Sequence, residues 1–438
     1  MSITCKFGGT SLATGERIKN CCKIIQENTD RRFIVVSAPG KGTVNSQKVT
    51  DLLYECYERR FQKEVFDESF AKIAEIFREI ASIVEDFPIE EALQTIYIQA
   101  KNPEANVDFV VSRGEFLNAK IIAAYLNYTF LDAKEFIRFT NGELDICATI
   151  QLAEKIDKNE RYVIPGFYGR DERGHIKTFS RGGSDITGSI VARVANCELY
   201  ENWTDVDGIS VCDPKIVHNP KKVSEVSFRE LREMSYMGAS VLHAETLLPI
   251  FEQPIPILLK NSFEPESAGT RICKTRTDAT KKETITCITG KNDYSCIQIS
   301  KMMLDKQLGF VKKVTSVFEE YNINISHTHS GLDNLCFFVE NSEFTKISFQ
   351  NLLSELISRI DADKIKGYEE IALLAVIGHD LSQKTEMLSK IFHAFSESGI
   401  NVKTIYQSMS ECNIILGVEN SRLNESICAL YKELVEEN

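Results

Sequence analysis

The chain has 438 residues, of which 51 are Lys or Arg and 63 are Asp or Glu, for a net charge of −12. At 43% hydrophobic and 26% charged it has the balance of a globular protein with a sizeable core, which excludes a disordered tail, a coiled coil and a disulfide mini-scaffold. The acidic balance argues against a nucleic-acid partner, and no apolar run approaches the roughly 18–20 residues of a membrane span.

The first residues, M-S-I-T-C-K-F-G-G-T-S, carry no basic segment or long apolar stretch, so no signal peptide is expected. Thirteen cysteines without a C-x-x-C or a Cys/His cluster predict reduced thiols in a cytoplasmic protein, with no zinc site and no disulfide framework, and no metal-ligating residues are assigned. Ile3–Phe7 reads as a strand that ends at Gly8-Gly9, and Glu16–Glu27 has helical spacing. Arg32–Ser37 is a β-branched run of the kind found in buried parallel strands, and it opens into the breaker-rich loop A-P-G-K-G-T-V-N-S-Q. Phe70, Ile73, Ala74, Phe77, Ile80, Ala81 and Val84 mark one face of a long helix. Phe109–Ser112 is predicted as a strand followed by a helix from about Phe116. Tyr162–Pro165 and Glu198–Trp203 are further strands, with a helix over Ile186–Ala195 between them. This alternation predicts an α/β fold: a mainly parallel sheet sandwiched by helices, with function at the carboxyl ends of the strands.

The character changes after residue 265. Glu264–Lys282 is polar and reads as linker, so residues 266–294 are assigned to a linker. An internal repeat follows, G-F-V-K-K-V-T-S-V-F-E-E-Y-N-I-N-I-S from Gly309 and E-M-L-S-K-I-F-H-A-F-S-E-S-G-I-N-V-K from Glu386. Val311, Val314, Phe318 and Tyr321 are the expected core face of the first helix. Each repeat predicts a ferredoxin-like α+β module. The expected domains are 1–265, 295–365 and 366–438, with strand 284–289 a candidate addition to the last.

Four clusters offer chemistry. Lys6-Phe7-Gly8-Gly9-Thr10-Ser11 suits an anion cradle, its glycines admitting a phosphate to backbone N–H groups and Lys6 adding charge; a Gly-Gly turn after a strand also explains it. Arg181-Gly182-Gly183-Ser184-Asp185 opens a helix, where Arg181 offers a fork for a carboxylate and Asp185 either acts in the site or caps the helix. Glu115, in V-S-R-G-E, either accepts an ammonium or is a first-turn helix charge. Thr204-Asp205-Val206-Asp207-Gly208 suits a nucleotide or a hydrated Mg²⁺, or is an Asp-Gly turn. Together they suit phosphoryl transfer to a small amino acid, a reaction that rests on positioning and positive charge.

The strings K-F-G-G-T-S, V-S-R-G-E, F-S-R-G-G-S-D, W-T-D-V-D-G and M-G-A-S-V-L-H, in this order, resemble those of the aspartokinases of the amino-acid kinase superfamily. The resemblance spans essentially the whole chain, the repeats being similar to that family's paired ACT modules. It implies ATP with Mg²⁺ as co-substrate, L-aspartate as acceptor and a monofunctional enzyme. By the same resemblance Lys6 and Asp185 are catalytic, Asp185 orienting the lysine. Ser37, Thr50, Glu115, Arg181 and Ser184 bind substrate, Glu115 taking the ammonium and Arg181 the α-carboxylate. Lys6, Phe7, Gly8, Gly9, Thr204, Asp205, Ser210, Lys215 and Ser240 face the nucleotide.

Two positions depart from the pattern. Ser240 stands where the family usually has lysine, with Lys215 a candidate replacement, and Ser210 stands where some members have tyrosine. The resemblance places an end-product effector between modules of two subunits, at Met303, Gly309, Phe310 and Val311 with Asn324, Ile325 and Ser326 opposite. Ser326 stands where some lysine-sensing members have aspartate. Lysine is the favoured effector and threonine the alternative, in a homodimer or dimer of dimers joined through the ACT modules. The competing readings are another amino-acid kinase with a related acceptor and, motivated by Ser240, an inactive amino-acid-binding regulator.

Overall fold

The computed structural model describes residues 2–42, 47–180, 182–239, 241–277, 284–407 and 412–437, with the backbone alone at Ser382. The chain forms two compact units: residues 1–209, 223–231 and 240–280 make the first, and 210–222, 232–239 and 281–438 the second. Two short segments that precede residue 265 thus belong with the C-terminal repeats.

The first unit is built on an eight-stranded sheet. Its strands run in the order Glu225–Ser227, Thr270–Cys273, Ile257–Asn261, Leu199–Thr204, Ile3–Phe7, Arg31–Val36, Tyr162–Pro165 and Thr129–Phe130. Every neighbouring pair is parallel except Ile257–Asn261 with Thr270–Cys273. Burial explains the unbroken apolar runs, since Cys5, Phe7, Ile34, Val35 and Val36 are all fully buried. The long helix Lys63–Ala81 packs Phe66, Phe70, Ile73, Phe77 and Ile80 into the same core as Phe7, Ile34 and Val36.

A buried ion pair crosses this sheet. Arg31 donates from Nε and Nη2 to the two oxygens of Glu201 at 2.8 and 3.2 Å, and Trp203 Nε1 donates to the same carboxylate at 2.9 Å. Trp203 is 1% exposed and stacks on Phe7 at 6.0 Å, so it is a core residue. Removing one partner of such a pair strands the other charge in the interior. Glu201→Ala is therefore expected to lose about 3–5 kcal/mol of unfolding free energy, read from urea melts.

Two expectations require correction. Phe109–Ser112 is not a strand: Val107–Val111 is a short helix that leads into the helix Arg113–Leu126. The run is too short for its β-branched residues to decide, and Asn106 caps the turn by accepting the Phe109 N–H at 2.7 Å. Nor are residues 266–294 linker throughout. Thr270–Cys273 completes the first sheet, and a strand begins at Ile285. Within the polar stretch only Thr270 and Ile272 of that strand are buried, too sparse a signal to stand out.

The second unit has a six-stranded antiparallel sheet ordered His327–Ser330, Asn334–Glu340, Ile285–Ser300, Lys364–Gly378, Asn413–Glu419 and Thr404–Gln407. The two long central strands serve both repeats. Tyr294–Ser300 pairs with Asn334–Glu340 in the first repeat, while Ile285–Lys291 pairs with Leu373–Gly378, which adjoins Asn413–Glu419 in the second. Helices Phe310–Glu320 and Phe349–Arg359 belong to the first repeat, Met387–Glu397 and Leu423–Tyr431 to the second. The core face of the first helix is Phe310, Val314, Val317 and Phe318, with Tyr321 packed against it; of the four expected residues Val311, 51% exposed, alone lies off that face.

Candidate active site

The carboxyl ends of five adjacent strands are level. Phe7 lies beside Val36 and Trp203, Val36 beside Pro165, and Thr204 beside Asn261. The loops that follow, at Gly8, Ser37, Gly166, Asp205 and Ser262, therefore share one edge of the sheet.

Lys6 pairs in register with Asn202 on the neighbouring strand. Its ammonium, on a side chain only 9% exposed, meets Asp185 Oδ1 at 2.6 Å, and Asn202 Nδ2 donates to the same oxygen at 2.8 Å. Asp185 reaches this position because the helix Gly183–Val194 lies very close to the sheet. A Cβ on Gly188 would come within 2.5 Å of the Tyr200 ring, and the Tyr200 hydroxyl donates to the Asp185 carbonyl at 3.1 Å. The side chain of Asp185 is thus spent on Lys6, and the helix, which opens at Gly182 in the left-handed region (φ 60°), has no side-chain cap.

Gly8 and Gly9 keep ordinary negative-φ backbone, so close approach is what demands glycine. A Cβ on Gly9 would sit 2.8 Å from the Ala38 carbonyl and one on Gly40 2.6 Å from the Gly9 carbonyl carbon. The Gly40 N–H donates to Gly9 O at 2.8 Å, and the Gly8 N–H is engaged by Trp203 O at 2.9 Å. The two loops are therefore locked together, backbone on backbone.

Glu115 lies on the other side of the 37–40 loop, in the first turn of the helix Arg113–Leu126. It is 4% exposed; backbone N–H groups, its own and that of Ala38, reach its carboxylate, and Oε2 has no hydrogen-bond partner among the described residues. Burial raises its pKa from the ordinary carboxylate value to about 8, against the lowering by those N–H groups and by Arg113. Asn118, one turn on, donates to Ser37 O at 2.8 Å and holds a second buried oxygen, Oδ1, without a partner. Thr50 stands in the first turn of the helix Val49–Glu58, whose first N–H donates to Pro39 O at 3.1 Å. Ser37, Thr50 and Glu115 thus border one loop. Ser184 packs on the turn at Gly166, where a Cβ would meet its Oγ at 2.6 Å. Thr204 donates from Oγ1 to Asp205 Oδ1 at 3.2 Å at the end of its strand.

Arg181 and Ser240 lie outside the described residues; their neighbours Gly182 and His243 are in contact distance, a Cβ on Gly182 falling 2.9 Å from His243 Cβ. Ser210 and Lys215 belong to the second unit. In that unit Gly309, at φ 75°, opens the helix Phe310–Glu320, and an added Cβ there would meet open space. Met303 is 59% exposed and its N–H donates to Asp333 Oδ1 at 2.8 Å. Phe310 and Ile325 meet in one core, the Asn324 N–H donates to Glu343 Oε2 at 3.0 Å, and Ser326 pairs its N–H with Phe338 O.

Asn202, Tyr200 and Asn118 complete these clusters and were not picked out by motif. Asn202 and Tyr200 share the strand face of Lys6, which period-two counting across the parallel pair brings out, and Asn118 lies three residues after Glu115 on one helical face.

The strand-end Lys6–Asp185 pair and the buried Glu115 lie within a region that comparison with known proteins assigns to a family. Residues 1–261 match the amino acid kinase family and residues 374–434 the ACT domain. The chain belongs to the amino acid kinase family. It is 33% identical over 446 residues to Aspartokinase 3 of Bacillus subtilis, covering 98% of this chain and 97% of that one. It is 27% identical to the lysine-sensitive aspartokinase 3 of Escherichia coli, with 99% of each chain covered. The crystal structure of Clostridium acetobutylicum aspartate kinase superposes with a TM-score of 0.87 at 37% identity, over 99% of both chains. Among those kinases this chain is an aspartate kinase, a phosphotransferase with ACT-domain repeats.

Proposed function

We propose that the enzyme transfers the γ-phosphoryl group of ATP to the β-carboxylate of L-aspartate. A β-carboxylate oxygen forms the new bond to γ-phosphorus, the bond to the β,γ-bridging oxygen breaks, and ADP leaves with 4-phospho-L-aspartate as product. The acceptor is ionised at neutral pH and is its own nucleophile, so no general base is needed. Lys6 neutralises charge on the transferred group, Asp185 and Asn202 fix its ammonium, and Mg²⁺ arrives on the nucleotide phosphates. Glu115 takes the substrate ammonium, Arg181 its α-carboxylate, and Ser37, Thr50 and Ser184 line the acceptor side. Phe7, Gly8, Gly9, Thr204, Asp205 and Ser240 face the nucleotide. The unpartnered Glu115 oxygen carries this reading, since a buried acceptor held without a donor calls for a cationic ligand.

The reaction is the first step of lysine, threonine and methionine synthesis in the cytoplasm, and lysine is the favoured effector over threonine. It binds at Met303, Gly309, Phe310 and Val311 with Asn324, Ile325 and Ser326, where helix-start N–H groups receive its carboxylate. The relative named as lysine-sensitive supports this. Exposed Met302, Met303, Leu308 and Val311 supply the apolar surface for a homodimer or dimer of dimers.

A coupled ADP-release assay with aspartate, with glutamate and with no acceptor tests the reaction. Release is expected with aspartate alone, and lysine should suppress it. Release with glutamate but not aspartate would move the enzyme to another acceptor, and no release with either would leave an amino-acid-binding regulator. Inhibition by threonine and not lysine would reverse the effector assignment.

A further inference from the structure

The first unit holds two cavities, of about 560 and 390 Å³, that no role above uses. Gln99, Phe109, Arg113 and Lys134 line both, so Arg113 stands where the two meet. Arg113 is 6% exposed, yet it makes no ion pair among the described residues. Its Nε donates to Phe109 O at 3.1 Å and its Nη2 to Ser112 Oγ at 2.9 Å, while Nη1 has no hydrogen-bond partner among those residues. Glu115, two residues on, feels the charge of Arg113 without forming an ion pair with it. The Phe109 and Phe116 rings each lie 4.4 Å from the guanidinium carbon, and Tyr168 lies 5.5 Å from it. A charge taken out of water is normally matched by an opposite one, and here aromatic faces and two neutral oxygens are all that meet it.

Two further cations stand nearby. Lys120, one turn beyond Phe116, approaches that ring at 4.6 Å and Phe130 at 5.8 Å, and it has no ion pair or hydrogen bond among the described residues. Lys134 pairs with Asp132 at 3.4 Å. The carboxylates on the walls are Glu91 in the larger cavity and Glu104 in the smaller, and both are exposed. We propose that the junction of these cavities binds a small organic anion, a phosphate ester or a carboxylate with an apolar body. Arg113 Nη1 donates to the oxyanion, Lys120 and Lys134 add positive field, and the body lies against Phe109, Phe116 and Ile96. The buried guanidinium without a counter-ion carries this assignment, because an uncharged ligand would leave it unmatched.

The test uses full-length enzyme, titrated calorimetrically with phenyl phosphate, with phenylacetate and, as the uncharged control, with benzyl alcohol. At least one of the two anions is expected to bind, and the tighter of them tells ester from carboxylate; benzyl alcohol should not bind. Affinity should fall by roughly 10-fold or more in Arg113→Gln, the loss expected for a hydrogen bond to a charged group. In Lys120→Glu it should fall by roughly 5-fold, the scale of an exposed charge pair. Lys6→Ala should leave the binding unchanged, which separates this site from the one proposed for the nucleotide phosphates. Amide exchange over residues 107–117 should slow when the anion binds. Lys120 is exposed, so its variant tests the site even should Arg113→Gln fail to fold. The proposal is overturned by the absence of binding of either anion, by equal binding of benzyl alcohol, or by binding lost in Lys6→Ala. Binding indifferent to Arg113→Gln, or to Lys120→Glu where the Gln variant does not fold, overturns it as well.

Discussion

Lys6→Ala is expected to lower kcat by roughly 10²–10³-fold, the usual cost of deleting one fixed stabiliser of developing charge. Aspartate affinity should change by less than about threefold, because in the proposed reaction the lysine acts on the phosphoryl group and not on the acceptor. The geometry gives the reason. Lys6 is held by Asp185 Oδ1 at 2.6 Å, and that oxygen is held in turn by Asn202. The ammonium is thus pre-oriented before any phosphate arrives, so its full effect is available in the transition state. The variant also leaves Asp185 without its counter-charge, which in the proposed site adds repulsion toward the phosphates to the lost attraction. Steady-state kinetics beside calorimetric aspartate binding decide the point: a rise in KM at unchanged kcat would make Lys6 a binding residue.

In the proposed site Glu115→Gln is expected to weaken aspartate binding by roughly 10–100-fold above about pH 8, where most of the native carboxylate is ionised. Below that the empty native site holds a proton, its pKa being about 8. In the proposed site the ammonium of aspartate must expel it, so calorimetry at pH 7 in buffers of different ionisation enthalpy should record release of close to one proton, and the Gln variant should release none. Stability carries the same signature. A carboxyl whose folded pKa lies above its unfolded value stabilises the fold fully below about pH 4.5 and loses that contribution as pH rises to about 8. The shift corresponds to roughly 5 kcal/mol. The ligand-free Gln variant should therefore lose less stability between pH 5 and 8 than the native enzyme, as urea melts at the two ends of the range would show.

Much of the layout of the strand ends is legible as punctuation. Glycine pairs after apolar runs marked strand ends, and the parallel sheet brought those ends to one edge. The helix capped by Asn106 was missed because F-V-V-S has the composition of a strand, and four residues hold too little periodicity to tell the two apart. Strand Thr270–Cys273 was missed because its neighbours are polar and its place depends on partners ten or more residues away in sequence. Asn202 illustrates a different gap. Nothing about an asparagine in a short strand announces a role, and its meaning comes from Lys6 lying opposite in the register. Glu115 stands out in the sequence as an acid after a glycine, yet the burial that raises its pKa is a property of the assembled fold.

The sharing of the two long central strands bears on how the chain is made. Ile285–Lys291 emerges from the ribosome well before the segment Leu373–Gly378 that it pairs with. Until then its edge is bare, and the first repeat lacks the end of its own sheet at Lys364–Gly367. Nascent chains stalled inside this interval should be sensitive to proteases and dependent on chaperones, and a genetic swap of either repeat alone should yield insoluble protein.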